Sequence, residues 1–339
     1  MSLPQHPKAA AANPIENLPS GVRLPEPPPL GFDPLKMSNE LLVKHGLPPR
    51  PDQTSKPESY AWWMKVCSRA RAYIPPGFKP LSRSSTPQSL EEIRKRWSGA
   101  VIAADENYHF NQVAGSWTVS RPFPDNRAWG TTCWKSGRFH AASWVGIDGH
   151  ETPNHVKSKD VLQAGTAHTC VTSTHQDTEY TTHPWWEWYP DHPWYITGFQ
   201  IKPGDLIHVY IRATSSTEAC IYFMNGSACT YTSFSVTAPE DIKLVGNCAE
   251  WIVEASERSE NDEPMTSYLG ATFFFDCFAV ERKDGGSDIV RDLTNATFFE
   301  AVQDGEVLST GRRDLSNNKV VGVVAEVRTN WTRIQYPEK

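Results

Sequence analysis

Two short stretches hold the side chains best suited to chemistry. "CAEWIVEAS" (Cys248–Ser256) alternates as a strand does, with Glu250, Ile252 and Glu254 on one face and Trp251, Val253 and Ala255 on the other. "HPWWEWYPDHPW" (His183–Trp194) carries four of the chain's 13 Trp. Read as a strand, it sets Trp185, Glu187 and Tyr189 against Trp186 and Trp188. A glutamate on a concave, aromatic-lined sheet is suited to general-base work. The same pattern fits glutamates that face solvent on an outer sheet, and alternation alone leaves both readings open. A third reading pairs Glu250 with Glu254 or Glu187 across a glycosidic bond, which needs the two carboxyls about 5–9.5 Å apart.

Other chemistries lack their residues. The chain has no GxSxG elbow, HExxH, P-loop, or GxGxxG ahead of a helix. Nine of the 11 His follow Trp97, but they are scattered and make no i, i+4 pair on a helix, so no metal site and no cofactor are expected. None of the seven Cys forms a CxxC pair; Cys220 and Cys229 flank a hairpin signal, and both a disulfide and free buried thiols fit them. No apolar run reaches 18 residues, so no membrane span is expected. The first 21 residues lack the apolar stretch of a secretory signal. Asn225, Asn295 and Asn330 open Asn-x-Ser/Thr sequons.

Positioning such residues falls to two unlike regions. Residues 1–96 hold 17 of the 27 Pro and carry 14 Lys/Arg against 8 Asp/Glu, a net +6. The remainder carries 19 against 31, a net −12, which argues against nucleic acid as its partner. The first region reads as Pro-rich and extended up to Pro34, then partly helical. A short helix is expected over Asn39–His45, stopped by Gly46, and a longer one from Pro57 with Tyr60, Trp63, Met64, Cys67 and Ala70 on one face. Ser89 and Glu92 form a capping box for a third. From Trp97 the period becomes 2. In "DLIHVYIRAT", Ile207, Val209 and Ile211 oppose His208, Tyr210 and Arg212, and Asn225-Gly226 marks a hairpin. Many short strands over about 230 residues indicate an all-β, antiparallel double-sheet β-sandwich. The expected organisation is a Pro-rich basic segment over 1–96, a sandwich over 97–327 and a tail over 328–339.

Four ordered motifs narrow the reading: "SWVGIDG" (Ser143–Gly149), "VLQAG" (Val161–Gly165), "WEWYP" (Trp186–Pro190) and "AEWIVE" (Ala249–Glu254). "RWSGAVI", "GSWTVSRPFP", "ITGFQIKPGDLIHVYI" and "FFFDCFAV" add to them. Over roughly Trp97 to Val327 the chain resembles the eqolisin family of glutamic endopeptidases. The resemblance implies a concanavalin-like jelly roll with a catalytic pair on its concave face, Gln163 and Glu254. Trp97, Trp144, Asp148, Trp185, Glu187 and Tyr189 fall on supporting positions of that cleft.

The implied activity is acid endopeptidase cleavage of a polypeptide substrate by a monomer. Glu254 would act on water as base and then acid, and Gln163 would stabilise the oxyanion. By charge the basic segment either docks on the acidic domain or is a solubilising linker or passive tail; the resemblance implies that residues 1–96 are a propeptide, lost near residue 96 on acid activation. The family is secreted, which the N-terminus does not reflect, so localisation stays open. Ala164 replaces the family's Thr, and Ala167 and His183 stand where it carries acidic residues. The competing class is a binding module that holds a glycan or peptide on its aromatic face without cleaving it.

Overall fold

The computed structural model describes residues 18–81, 90–122, 137–152, 158–172, 178–255, 271–283, 285–303, 306–314 and 322–327. Three helices lie in the first region: α1 (Asn39–Lys44), α2 (Pro57–Val66) and α3 (Leu90–Arg94). Ser38 caps α1 by accepting the Leu41 N–H, and Gly46 at φ 73° turns the chain out of it. Pro57 occupies the first turn of α2. Its buried face holds Ser59, Trp62, Trp63 and Val66, so it is rotated from the expected one: Trp62 is in, while Tyr60 and Met64 are half-buried. Ser89 lies outside the described residues, so the capping box is not placed.

The strands run β1 (Ala72–Tyr73), β2 (Gly77–Pro80), β3 (Trp97–Ala103), β4 (Tyr108–Thr118), β5 (Gly137–Ile147), β6 (Val161–Thr172), β7 (Thr178–Tyr189), β8 (Trp194–Thr197) and β9 (Leu206–Ala213). They continue as β10 (Glu218–Asn225), β11 (Thr230–Thr237), β12 (Cys248–Ala255), β13 (Ala271–Lys283), β14 (Asp288–Arg291), β15 (Thr297–Gln303), β16 (Glu306–Asp314) and β17 (Gly322–Val327). One sheet has the order β15–β3–β12–β5–β6–β7–β8–β2. The other runs β1–β11–β10–β9–β4–β13, with β14 and β17 both on the far edge of β13 and β16 beyond β17. β15 pairs with β16 as well as β3 and so joins the two. Apart from the short parallel β1–β11 pair, every pairing is antiparallel, and the β-sandwich read from the sequence is the fold observed.

Alternation divides each strand between layers. Trp117, Trp186, Trp188, Ile207, Val209 and Trp251 meet in the core between the sheets. Buried indoles need acceptors: Trp117 Nε1 donates to Thr166 Oγ1 at 3.1 Å, and Trp251 Nε1 to the Ala114 carbonyl at 2.8 Å. The outer face of the second sheet is not left to water. Tyr210, Tyr222, Met224, Tyr231 and Phe278 pack there against Leu42, Leu47, Trp62, Trp63 and Cys67 of the first region. Trp63 is fully buried and donates Nε1 to the Pro48 carbonyl at 2.8 Å, with the Arg50 guanidinium over its ring. Lys56–Asp288, Lys65–Asp276 and Arg23–Glu218 join the basic segment to the acidic sandwich. Arg23–Glu218 is exposed and contributes little, and the other two pairs are partly buried; apolar burial dominates the attachment. β1 and β2 further stitch the segment into one sheet each.

Two cysteine and sequon expectations resolve here. Cys220 lies opposite Ser235, not Cys229, and both thiols are free. Asn225 is buried, its amide donating to Asp205 Oδ2 at 2.8 Å, so that sequon is closed to a glycan in the folded chain. Asn330 lies outside the described residues.

Replacing Trp63 with Ala is expected to destabilise the whole protein by about 3–5 kcal/mol, the usual cost of emptying a large aromatic site. Denaturant unfolding measures it; an unchanged midpoint would mean that the segment is not part of the cooperative fold.

Four buried groups set the fold's answer to pH. Burial, with the neighbouring Asp148 charge, pushes the Asp160 carboxyl up to about 7, and burial raises Glu250 well above the carboxylate range. Burial lowers His168 to about 3 and His208 to about 4. His168 is held between Thr166 and Thr182 hydroxyls, and His208 against Ser116. The signs oppose each other. Asp160 contributes stability that is full below about pH 4 and lost as pH rises through 7, while the histidines contribute stability that is full above about 6.5 and lost as pH falls through 3–4. Melting temperature should therefore peak at mildly acidic pH. Asp160→Asn should flatten the neutral limb and His168→Gln the acid limb; limbs of unchanged slope in both variants would refute the assignment.

Candidate active site

The face of the first sheet turned away from the core is built by strand parity. Across β3–β12–β5–β6–β7 the registers align three rows: Val101–Glu250–Gly146–Gln163–Glu187, then Gly99–Ile252–Trp144–Gly165–Trp185, then Trp97–Glu254–Ala142–Ala167–His183. Every residue in these rows shares one face, because directly opposed residues in antiparallel strands point the same way. Gln163 and Glu254 thus lie on one surface, two strands apart, with Trp144 on the strand between.

Trp144 is the hinge of this surface. It is fully buried, meets the Trp97 ring edge-on at 4.8 Å, and donates Nε1 to Glu254 Oε2 at 3.0 Å. The indole fixes the glutamate's position. Glycine at 165 is required by close approach: a Cβ there would meet the Ser143 carbonyl oxygen at 2.0 Å and Trp144 Cα at 2.6 Å.

Gln163 is held from the other side. Its Nε2 donates to Glu187 Oε2 at 2.8 Å, and both side chains are buried. A carboxylate can only accept, so this bond decides which end of the amide carries the N–H groups. Nε2 keeps a second hydrogen, and buried Oε1 has no hydrogen-bond partner among the described residues.

The remaining expected residues divide. Trp97 and Trp185 are buried in the same aromatic cluster as Trp144, and Tyr189 is half-buried beside it. Asp148 has a different setting. At φ 70° after β5, its carboxylate accepts the backbone N–H groups of Val245, Gly246 and Asn247 at 2.7–2.9 Å. It anchors the loop entering β12 and is fully buried, so its role is to place the strand that bears Glu254. Glu250 is fully buried too, accepting from Cys248 Sγ at 3.2 Å. Leu90 and Ile93 of α3 pack on this end of the surface. Of Glu187, Glu250 and Glu254, only Glu254 is appreciably open to solvent, so the two accessible carboxyls that glycosidase chemistry needs are not found among them.

Two histidines lie on the same face, His183 at the position noted above and His140, which the sequence reading missed. His140 shares a hydrogen bond with Thr169 Oγ1 at 3.0 Å, and the His183 ring lies 4.7 Å from Tyr195. Tyr195 pairs with Trp185 on one side and with Lys79 of β2 on the other. "GFKP" is too short to show a period, so nothing local marked Lys79 as belonging to this sheet. Among the described residues no group of three His, Cys, Asp or Glu is placed to hold a metal. No helix among them is long and apolar enough to cross a membrane.

The sandwich is similar to known proteins. Aspergillopepsin-2 of Aspergillus niger is 29% identical over 249 residues, covering 70% of this chain and 80% of that protein. Scytalidopepsin B of Scytalidium lignicola is 25% identical over 193 residues, covering 55% of this chain and 63% of that protein. The crystal structure of scytalido-glutamic peptidase with a transition state analog inhibitor superposes with a TM-score of 0.50 at 22% identity, over 69% of this chain and 98% of that one, a likeness of fold. Residues 95–323 match the Peptidase A4 family. The chain accordingly belongs to the peptidase A4 family of glutamic peptidases, the eqolisins, and is a hydrolase of peptide bonds.

Proposed function

We propose that the protein is an acid-acting endopeptidase in which Glu254 and Gln163 carry the reaction on a polypeptide laid across the open face of the β3–β8 sheet. The observation that supports this most is the pair of anchoring bonds: Trp144 to Glu254, and Gln163 to Glu187, which preset two reactive groups on one surface. In this reading ionised Glu254 takes a proton from a water that attacks the peptide carbonyl. The free Nε2 hydrogen of Gln163 donates to the oxygen as it becomes an oxyanion. Glu254, now protonated, returns the proton to the departing amine. Pairing the base with an amide avoids setting a second carboxylate in the partner's place. Glu187 acts through Gln163 as a positioning residue, and the Trp97, Trp144 and Trp185 cluster keeps the floor rigid and apolar.

The test is cleavage of a denatured protein substrate by the full chain between pH 2 and 6. Glu254→Gln should lower kcat by roughly 10²–10⁴-fold, the range for losing a general acid–base. Gln163→Ala should lower it by roughly 10²–10³-fold with a smaller change in KM, as expected for a contact made mainly in the transition state. Cleavage that survives Glu254→Gln refutes the mechanism. Tight peptide binding by a wild-type chain that cleaves nothing at any pH would favour the binding-module reading.

A further inference from the structure

Besides α3, the first region meets this face of the sheet through β2. β2 adds an eighth strand to the catalytic sheet, with Gly77 opposite Thr197, Phe78 opposite Ile196 and Lys79 opposite Tyr195. Phe78 packs edge-on against Trp186 and Phe234 in the sandwich core. By parity Lys79 then stands on the other face, in the row that runs Ile252–Trp144–Gly165–Trp185–Tyr195. Its side chain is exposed, and its charge is felt by half-buried His183, which burial chiefly and Lys79 secondarily hold below its usual pKa.

The surroundings suit a negative group. Between Glu254 and His183 the row holds only small side chains, buried Ala142 and half-buried Ala167. The charged neighbours on the same face of β7 are Glu187, which is buried and bonded to Gln163, and exposed Glu179, four residues along from His183. His183 is three strand spacings from Glu254, roughly 14 Å, or about two to four residues of extended peptide once side-chain reach is included.

We propose that Lys79 and His183, with the Tyr195 ring between them, form a subsite for an acidic side chain of the substrate, so that β2 remains part of the working enzyme. This rests on the peptidase reading above and adds to it a specificity and a lasting place for the segment that bears Lys79.

The experiment uses the full chain at pH 5, where a free Glu side chain is mostly ionised. Peptides differing only by Glu or Gln are compared at each position two to four residues either side of the cleaved bond. At one position the Glu peptide should have a kcat/KM roughly two- to fivefold higher, the scale of a solvent-exposed ion pair. Lys79→Met should bring that ratio to one, and Lys79→Glu should shift preference to a Lys peptide. Mass spectrometry of the cleaving species should find residues 72–81 retained. A ratio of one at every position in the wild type overturns the proposal. So does a ratio unchanged in both variants, or one kept by an active species lacking β2. Binding of the same peptides to Glu254→Gln, read by Trp fluorescence, separates the two readings. If the wild type cleaves nothing, the peptidase mechanism fails, while a Glu-over-Gln binding preference lost in Glu254→Gln/Lys79→Met still upholds the subsite and an equal affinity sinks it.

Discussion

The register of β12 is the constraint on which the site depends. Trp251 and Val253 sit in the sandwich core while Ile252 and Glu254 face the opposite way, and β12 is gripped on both edges, by β3 and by β5. A slip of one residue would drive Glu254 into the core and expose Trp251. The burial of Trp251, whose Nε1 also needs the Ala114 carbonyl, therefore holds the glutamate in the cleft. Asp148 secures the same register from the strand's beginning, by binding the three backbone N–H groups that precede it.

A sheet with a face free for chemistry must be stabilised elsewhere. The core between the sheets supplies most of the burial, and the first region covers the outer face of the second sheet with Trp62, Trp63 and Leu42. Among the described residues the molecule is in this sense three layers deep. The basic charge of the segment meets acids of the sandwich at Asp276 and Asp288, but the buried aromatic contacts, which pH does not titrate, form the larger part of the attachment. Acidification alone would leave that part in place.

Polar groups inside the fold carry opposite pH preferences. Asp160 and Glu250 are favoured as neutral acids, whereas His168 and His208 are favoured as neutral bases. All four shifts share one cause, the cost of a charge where water cannot reach it. Glu254 differs by its exposure and by its indole donor, so two glutamates four residues apart on one strand face occupy unlike environments. Leu90 and Ile93 of α3 pack on the cluster that holds Trp97 and Val101, the β3 residues opposite Glu254 and Glu250.

Strand alternation in "AEWIVE" and "WEWYP" determined which residues face the core, because a period of two needs no knowledge of partners. The four ordered motifs likewise determined the family, and the Asn225-Gly226 dipeptide placed the hairpin between β10 and β11. Local pattern was silent on what covers a face. It gave Tyr210 and His208 the outward side of β9, correctly, but could not show that the first region buries them. It treated Glu250 and Glu254 alike; the family resemblance, not the pattern, set Asp148 among the cleft's supporting positions, where backbone N–H groups occupy its carboxylate. It could not place Lys79 beside Tyr195, a pairing across more than 100 residues. Side-chain direction follows from backbone geometry within a few residues, so sequence alone could state it; exposure and charge environment depend on which distant segments close over each face, and only the tertiary structure decided those.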